Sequence, residues 1–232
     1  MADKTIVEKI TQGRQYRAMT LNADTDGGEN KNYIIKGYAA TFNEPYTLYS
    51  DKDFEYREQI DPQAFANCDM SDVILQFDHE GRVFARTSNG TLQVNTDAHG
   101  LHITADLSST EATREIYDEV EKKLITKMSF GFKVSADTET RSTDENGKEI
   151  WLRTITAISK LYDTSLVSLP ANDGTEVSIR SLVDGVIAKR SAEQTEQEKK
   201  EAEEKARQEA EQKQEAEKRE RMRLRALALI NE

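Results

Sequence analysis

Short β-branched and aromatic runs, broken by turn residues, fill positions 14–180. Residues 33–40, 54–60, 72–77, 91–94 and 101–107 each read as a strand, the last two split by the turn Asp97-Ala98-His99-Gly100. A further pair, 130–136 and 150–158, is joined by a polar stretch, 137–147. That stretch ends in Asn146-Gly147, a hairpin signal. The last strand, 161–169, is halted by Pro170. One helix interrupts the series. Ser109-Thr110 can cap it, Glu111 sits in its first turn and Lys122-Lys123 in its last. Ala112, Ile116, Val120 and Leu124 recur every four residues and predict its buried stripe. Pro62 followed by Ala64-Phe65 predicts a second, short helix. Many short strands with one or two helices predict an α+β fold built on an antiparallel barrel or sandwich.

From Ser191 onward the pattern changes. This stretch has no Gly, Pro or aromatic residue, and it carries 12 Glu against 10 Lys or Arg. Strong helix formers with opposite charges three or four apart predict a long, solvated helix of roughly 60 Å. A single helix and a coiled-coil or partner-binding helix are both open readings, although the Leu-poor middle disfavours a strong heptad seam. Only the end, Met222-Arg223-Leu224-Arg225-Ala226-Leu227-Ala228-Leu229-Ile230, is apolar enough to dock. The chain therefore divides into residues 1–185 and a charged tail, 186–232.

The net charge of −11 disfavours binding to nucleic acid through its phosphates. No run of 18 apolar residues is present to span a membrane. Met1-Ala2-Asp3-Lys4 lacks the basic-then-apolar order of a secretory signal. The single cysteine, Cys68, allows no internal disulfide and no Cys-rich metal centre, and it fits a reducing, cytoplasmic compartment. It has no activating neighbour that would make it a nucleophile. Any imidazole chemistry must draw on the three histidines His79, His99 and His102. His99 and His102 point to opposite faces of a strand and make a poor metal pair, so no metal site is expected.

Three positions can carry chemistry. Ser129, in Met128-Ser129-Phe130-Gly131-Phe132, shares a strand face with Gly131, away from Phe130 and Phe132. A residue without a side chain beside it leaves room for a substrate backbone, although a serine here can equally be a cap or surface residue. His79 ends an apolar strand and enters a turn, where it can serve as a general base or stand solvated between Asp78 and Glu80. Asp163 lies in an otherwise apolar strand, where a buried carboxylate needs a partner such as a histidine N–H. An edge-strand position facing water is the alternative.

Together and in this order these segments resemble the prohead (capsid maturation) serine proteases of tailed bacteriophages, relatives of the herpesvirus assemblins. The resemblance rests on Ile35-Lys36-Gly37-Tyr38-Ala39-Ala40-Thr41-Phe42 and Glu58-Gln59-Ile60-Asp61-Pro62-Gln63-Ala64-Phe65. It continues through Val73-Ile74-Leu75-Gln76-Phe77-Asp78-His79, Gly90-Thr91-Leu92, Gly100-Leu101 and the Ser129 block. It ends with Asp163-Thr164-Ser165-Leu166-Val167-Ser168-Leu169-Pro170-Ala171-Asn172. It implies a herpes-protease-like, mainly antiparallel β-barrel with flanking helices and no cofactor. His79 matches the family's base and Ser129 its nucleophile. Asp163 stands where the family usually has Glu, one methylene longer, so its contact to His79 is expected to need a small shift or a water. Assemblins carry an arginine pair for the oxyanion. Here the matching stretch is Pro170-Ala171-Asn172, so no oxyanion residue is assigned and backbone N–H groups are the default donors.

The implied activity is endoproteolysis of capsid and scaffold proteins, and of the protease itself, inside the assembling prohead in the bacterial cytoplasm. The major capsid protein and its scaffolding segment are the implied partners, and assemblin dimers suggest a homodimer by analogy. The tail then reads as a scaffold-like or targeting segment removed by self-cleavage. An inactive scaffold or capsid-binding module on the same barrel is the main rival. A hydrolase of non-peptide esters is the second.

Overall fold

The computed structural model describes residues 14–20, 24–25, 32–168 and 173–230. In chain order, the strands before the first helix are β1 (Gln15–Thr20), β2 (Asp24–Thr25), β3 (Ile34–Thr41), β4 (Tyr46–Ser50), β5 (Phe54–Ile60), β6 (Ile74–Phe77), β7 (Glu80–Arg86), β8 (Leu92–Thr96) and β9 (Gly100–Asp106). Helix α1 (Glu111–Glu121), β10 (Lys127–Thr143), β11 (Glu149–Val167) and helix α2 (Asp173–Ile230) follow. Contacts divide the described residues into two units, one up to Asp184 and a second from Gly185 onward.

Within the first unit the class is α+β, with most elements strands. One sheet of seven strands runs β1-β10-β11-β5-β4, with β6 on β11 and β7 on β6. A second sheet of four runs β2-β3-β9-β8. Most pairings are antiparallel, β11 pairs in parallel with both β5 and β6, and among the described residues neither strand order closes into a barrel. Ile35, Ile60, Leu75, Leu101, Ile103, Tyr117, Phe130, Phe132, Ile155 and Leu166 join one hydrophobic core. No helix among the described residues is long and apolar enough to cross a membrane, a statement that concerns helices alone.

Several sequence expectations need correction. The polar stretch 137–147 is mostly ladder: β10 pairs with β11 out to Thr143 and Glu149, and Asp144 Oδ1 closes the turn by accepting from Asn146 and Lys148 N–H. This arm is exposed from Ser135 to Thr143, which erases the alternating pattern a half-buried strand shows. The segments 150–158 and 161–169 are one strand, β11, up to Val167, while Leu169–Asn172 lie outside the described residues. Residues 62–67 make consecutive turns rather than a short helix. Ala64, Ala66 and Cys68 donate three residues back, to Asp61, Gln63 and Phe65, and too few residues follow to propagate a helix. In α1 the buried stripe is Thr113, Tyr117 and Val120, one position round from the expected one, and Leu124 is 73% exposed. Thr113 is drawn inward because its hydroxyl serves the capping box with Thr110 and donates to Leu107 O at 2.6 Å. The helix stops at Glu121, so Lys122 and Lys123 lie past its last turn. Helix α2 begins well before the expected tail, and Leu182 and Val183 in its early turns are buried. From Ser191 to Arg219 every side chain is exposed, with Glu196–Lys200, Arg207–Glu211 and Glu215–Arg219 paired across one turn.

Strand β1 has no apolar alternation because its inward residues are Gln15 and Arg17, each under 5% exposed. Glu58 on β5 is fully buried, and it accepts from Arg17 Nε at 2.6 Å, Tyr46 OH at 2.6 Å and Arg153 Nη1 at 2.7 Å. Burial pushes the Glu58 carboxyl up, but Arg17 and Arg153 outweigh it and hold the group down at about 2. This cluster ties β1 to β4, β5 and β11. Removing the shared anion with Glu58→Ala leaves two buried guanidinium groups and is expected to cost about 3–5 kcal/mol in chemical denaturation. Glu196→Ala, which breaks an exposed pair on α2, should cost no more than about 0.5 kcal/mol.

Candidate functional site

The register of β1, β10 and β11 sets one face of the large sheet. Ser129 on β10 lies between Ala18 on β1 and Ser165 on β11, and Gly131 lies between Tyr16 and Asp163. Alternation puts Ser129 and Gly131 on the same side, so Asp163 and Ser165 share that side on the neighbouring strand. A bulge follows directly. Gly131 pairs with Asp163 but Phe132 pairs with Leu161, so Tyr162 is an extra residue. Leu161 and Leu166 both belong to the core, which strict alternation forbids over five residues, and the bulge resets the phase.

His79 arrives from the end of β6, which runs parallel to β11 with Phe77 opposite Leu166. Phe77 pairs with Glu80 across the two-residue turn Asp78-His79, whose φ angles are 48° and 60°. Two consecutive positive φ values are the pattern of a type I′ hairpin turn, for which Asp and His are among the tolerated residues. The turn is tied to β11. Asp78 N–H donates to Leu166 O at 2.9 Å, and Ser168 donates through N–H and Oγ–H to the two Asp78 oxygens, each at 2.9 Å.

The three side chains singled out in the sequence meet here. His79 Nε2 lies 2.6 Å from Ser129 Oγ, and His79 Nδ1 lies 2.6 Å from Asp163 Oδ1. A carboxylate can only accept, so Nδ1 carries the proton and Nε2 is free to accept from the serine hydroxyl. Asp163 is fully buried and Ser129 is 1% exposed, so neither is the surface residue the sequence left open. The contact from Asp163 is direct and does not use a bridging water. Ser165 Oγ–H also donates to Asp163 Oδ1, at 2.9 Å, and Arg14 forms an ion pair with Asp163 Oδ2. Space beside Gly131 is taken by these groups rather than left for a substrate backbone. A Cβ there would stand 2.5 Å from Asp163 Oδ2 and 2.8 Å from Arg14 Nε. Tyr16 packs its ring 4.3 Å from the His79 ring.

Arg14, Tyr16 and the constraint on Gly131 are the parts that sequence reasoning missed. Ser165 had a readable signal, since it stands two residues beyond Asp163 on a strand. Arg14 and Tyr16 had none, because the segment that carries them is polar. The other candidates lie elsewhere. His99 and His102 do not diverge: both rings lean on Tyr38, at 4.5 and 5.1 Å, and Tyr38 OH donates to Asp97. Among the described residues no group of three or more His, Cys, Asp or Glu is arranged to hold a metal ion. Burial pushes the Cys68 thiol up to about 11.

A sequence model described as caudovirus prohead serine protease matches residues 18–198 of the chain. Comparison with curated proteins found no match, and comparison with solved structures found none.

Burial lowers the His79 imidazole from 6.5 to about 4, with the Arg14 cation pushing the same way and Asp78 opposing. Asp163 also favours the cation, but its charge is shared with Arg14. In an NMR titration the ring is therefore expected to stay neutral through pH 6.5 and to take its proton near 4. The unfolded chain takes that proton first, so His79 destabilises the fold as pH falls from 6.5 towards 4 and has no such effect above 6.5. A ring that titrates at or above the ordinary value would show that Asp163 dominates.

Proposed function

Because the chain belongs to the caudovirus prohead serine protease family, we propose that it is a capsid-maturation endopeptidase with Ser129 as nucleophile, His79 as base and Asp163 as orienting carboxylate. One observation carries the residue assignment: a hydrogen-bonded chain at 2.6 Å per link joins residues 79, 129 and 163, which come from different strands and a turn. The neutral His79 takes the Ser129 proton at Nε2 as Oγ attacks a peptide carbonyl. Asp163 accepts a hydrogen bond from Nδ1–H throughout, which fixes the tautomer and stabilises the imidazolium as it forms. His79 then gives its proton to the leaving amine, and a water activated by the same imidazole releases the acyl-enzyme. The relation to assemblins belongs to this reading.

The family places the action inside the assembling prohead, with capsid proteins as substrates. The major capsid protein and its scaffolding segment are the substrates in this reading. Residues 1–185 act as the protease, and residues 186–232 act as a scaffold-like or targeting segment removed by self-cleavage. The change from strand-rich sequence to a helix whose side chains are all exposed from Ser191 to Arg219 supports that division.

Co-expression with the major capsid protein tests the activity on a gel. Wild type should shorten the capsid protein. Ser129→Ala and His79→Ala should lose about 10⁶-fold in rate, and Asp163→Asn about 10⁴-fold through the wrong tautomer. Equal cleavage by wild type and Ser129→Ala would reject the assignment, and absence of cleavage by either would favour a scaffold module.

Mass spectrometry tests the tail. Purified wild type should shorten within residues 186–232 on incubation while Ser129→Ala stays whole. A chain that cuts capsid protein yet never shortens would remove self-cleavage from the account.

A further inference from the structure

Strand β1 has two working faces. Gln15 and Arg17 point into the Glu58 cluster, where Arg17 Nε and Nη2 donate to the Glu58 carboxylate at 2.6 and 3.0 Å. Arg14 and Tyr16, on alternate positions, face the Ser129–His79–Asp163 chain. The Arg14 guanidinium lies between two rings, 5.2 Å from the Tyr16 centroid and 4.7 Å from that of Tyr162, the bulged residue beside Asp163. It pairs with Asp163 Oδ2, the oxygen that His79 and Ser165 leave free. Gly131 closes the opposite side, since any side chain there would strike both Arg14 and Asp163. A carboxylate engaged on both oxygens cannot rotate about its terminal bond without breaking a charged contact in a buried place.

We propose that Arg14 is a positioning residue: its guanidinium locks Asp163 in the one orientation that accepts the His79 Nδ1–H hydrogen bond, so the segment leading into β1 completes the site. This rests on the proteolytic reading of Ser129, His79 and Asp163. The charged and titratable groups facing the His79 ring are Asp163 from β11, Tyr16 from β1, Arg14 from just before β1, and Asp78 from its own turn.

The test is the rate at which a fluorophosphonate probe labels Ser129 in the full chain, measured across pH, with folding checked by denaturation on the same samples. Arg14→Ala should label about 100-fold more slowly, the loss typical of a misplaced reacting group. Its acid limb should move to higher pH, because a cation that disfavours the imidazolium is gone. Arg14→Lys keeps the charge without the planar fork, and should keep the wild-type limb and recover part of the rate. Arg14→Gln is the second variant should Arg14→Ala fail to fold, and the same upward shift is expected. Wild-type rate and limb in the neutral variants would overturn the proposal. A slower rate with an unmoved limb and no recovery by Lys would make Arg14 merely structural and overturn it too. Failure of wild type to label at Ser129 overturns the proteolytic reading itself, and the role of Arg14 with it.

Discussion

A carboxylate with no exposure to water is stable only where its partners replace the solvent, and Asp163 meets that condition at the centre of the large sheet. Its two oxygens draw on His79 from the β6–β7 turn, Ser165 from its own strand and Arg14 from just before β1. Each partner then dictates a local feature. Glycine stands at 131 because a Cβ would occupy the volume of the Arg14–Asp163 pair. The extra residue Tyr162 lets Leu161 join Leu166 on the core side, away from Asp163. The turn at Asp78-His79 adopts left-handed backbone because that conformation carries the ring back over β11.

The same sheet buries a second anion, Glu58, on the other face of β1. There two guanidinium groups and a phenol surround one carboxylate, while Asp163 has one guanidinium, one imidazole and one hydroxyl. The difference bears on chemistry. Two permanent cations hold Glu58 ionised and leave no group free to move a proton. Asp163 contacts a ring that burial keeps neutral, and a neutral ring held by a carboxylate can accept a proton with little rearrangement. The first cluster suits a fixed anchor for β1, the second a site that changes charge.

Legibility in the sequence followed the water. Strands with one wet and one dry face, such as β5 with its strict alternation of buried and half-buried positions, show their period directly. The β10–β11 arm, wet on its outer stretch, and β1, whose inward residues are charged or amide, do not. In α1 the stripe was legible to within one position, and the shift came from the Thr113 hydroxyl, a hydrogen bond that periodicity cannot carry. Ser129, His79 and Asp163 were each readable as polar residues at strand ends or in apolar runs. Their grouping came from family resemblance, since nothing local in a strand reports which distant strand lies beside it. Arg14 was illegible for the same reason, and its own segment offered no pattern.

Asp at 163, where the family resemblance leads one to expect Glu, is one methylene short, yet the contact to Nδ1 is direct at 2.6 Å. Shortening one arm of a hydrogen bond must be answered by moving the other. Here the other arm is the turn: Asp78 N–H extends the β6–β11 ladder by one bond, and Ser168 clamps the Asp78 carboxylate with two more. Two non-glycine residues at positive φ cost roughly 1–2 kcal/mol each, a strain that three hydrogen bonds to one strand can offset. The second oxygen of the same carboxylate pairs with Arg14, so the side chain at 163, the latched turn and the arginine just before β1 are coupled through Asp163.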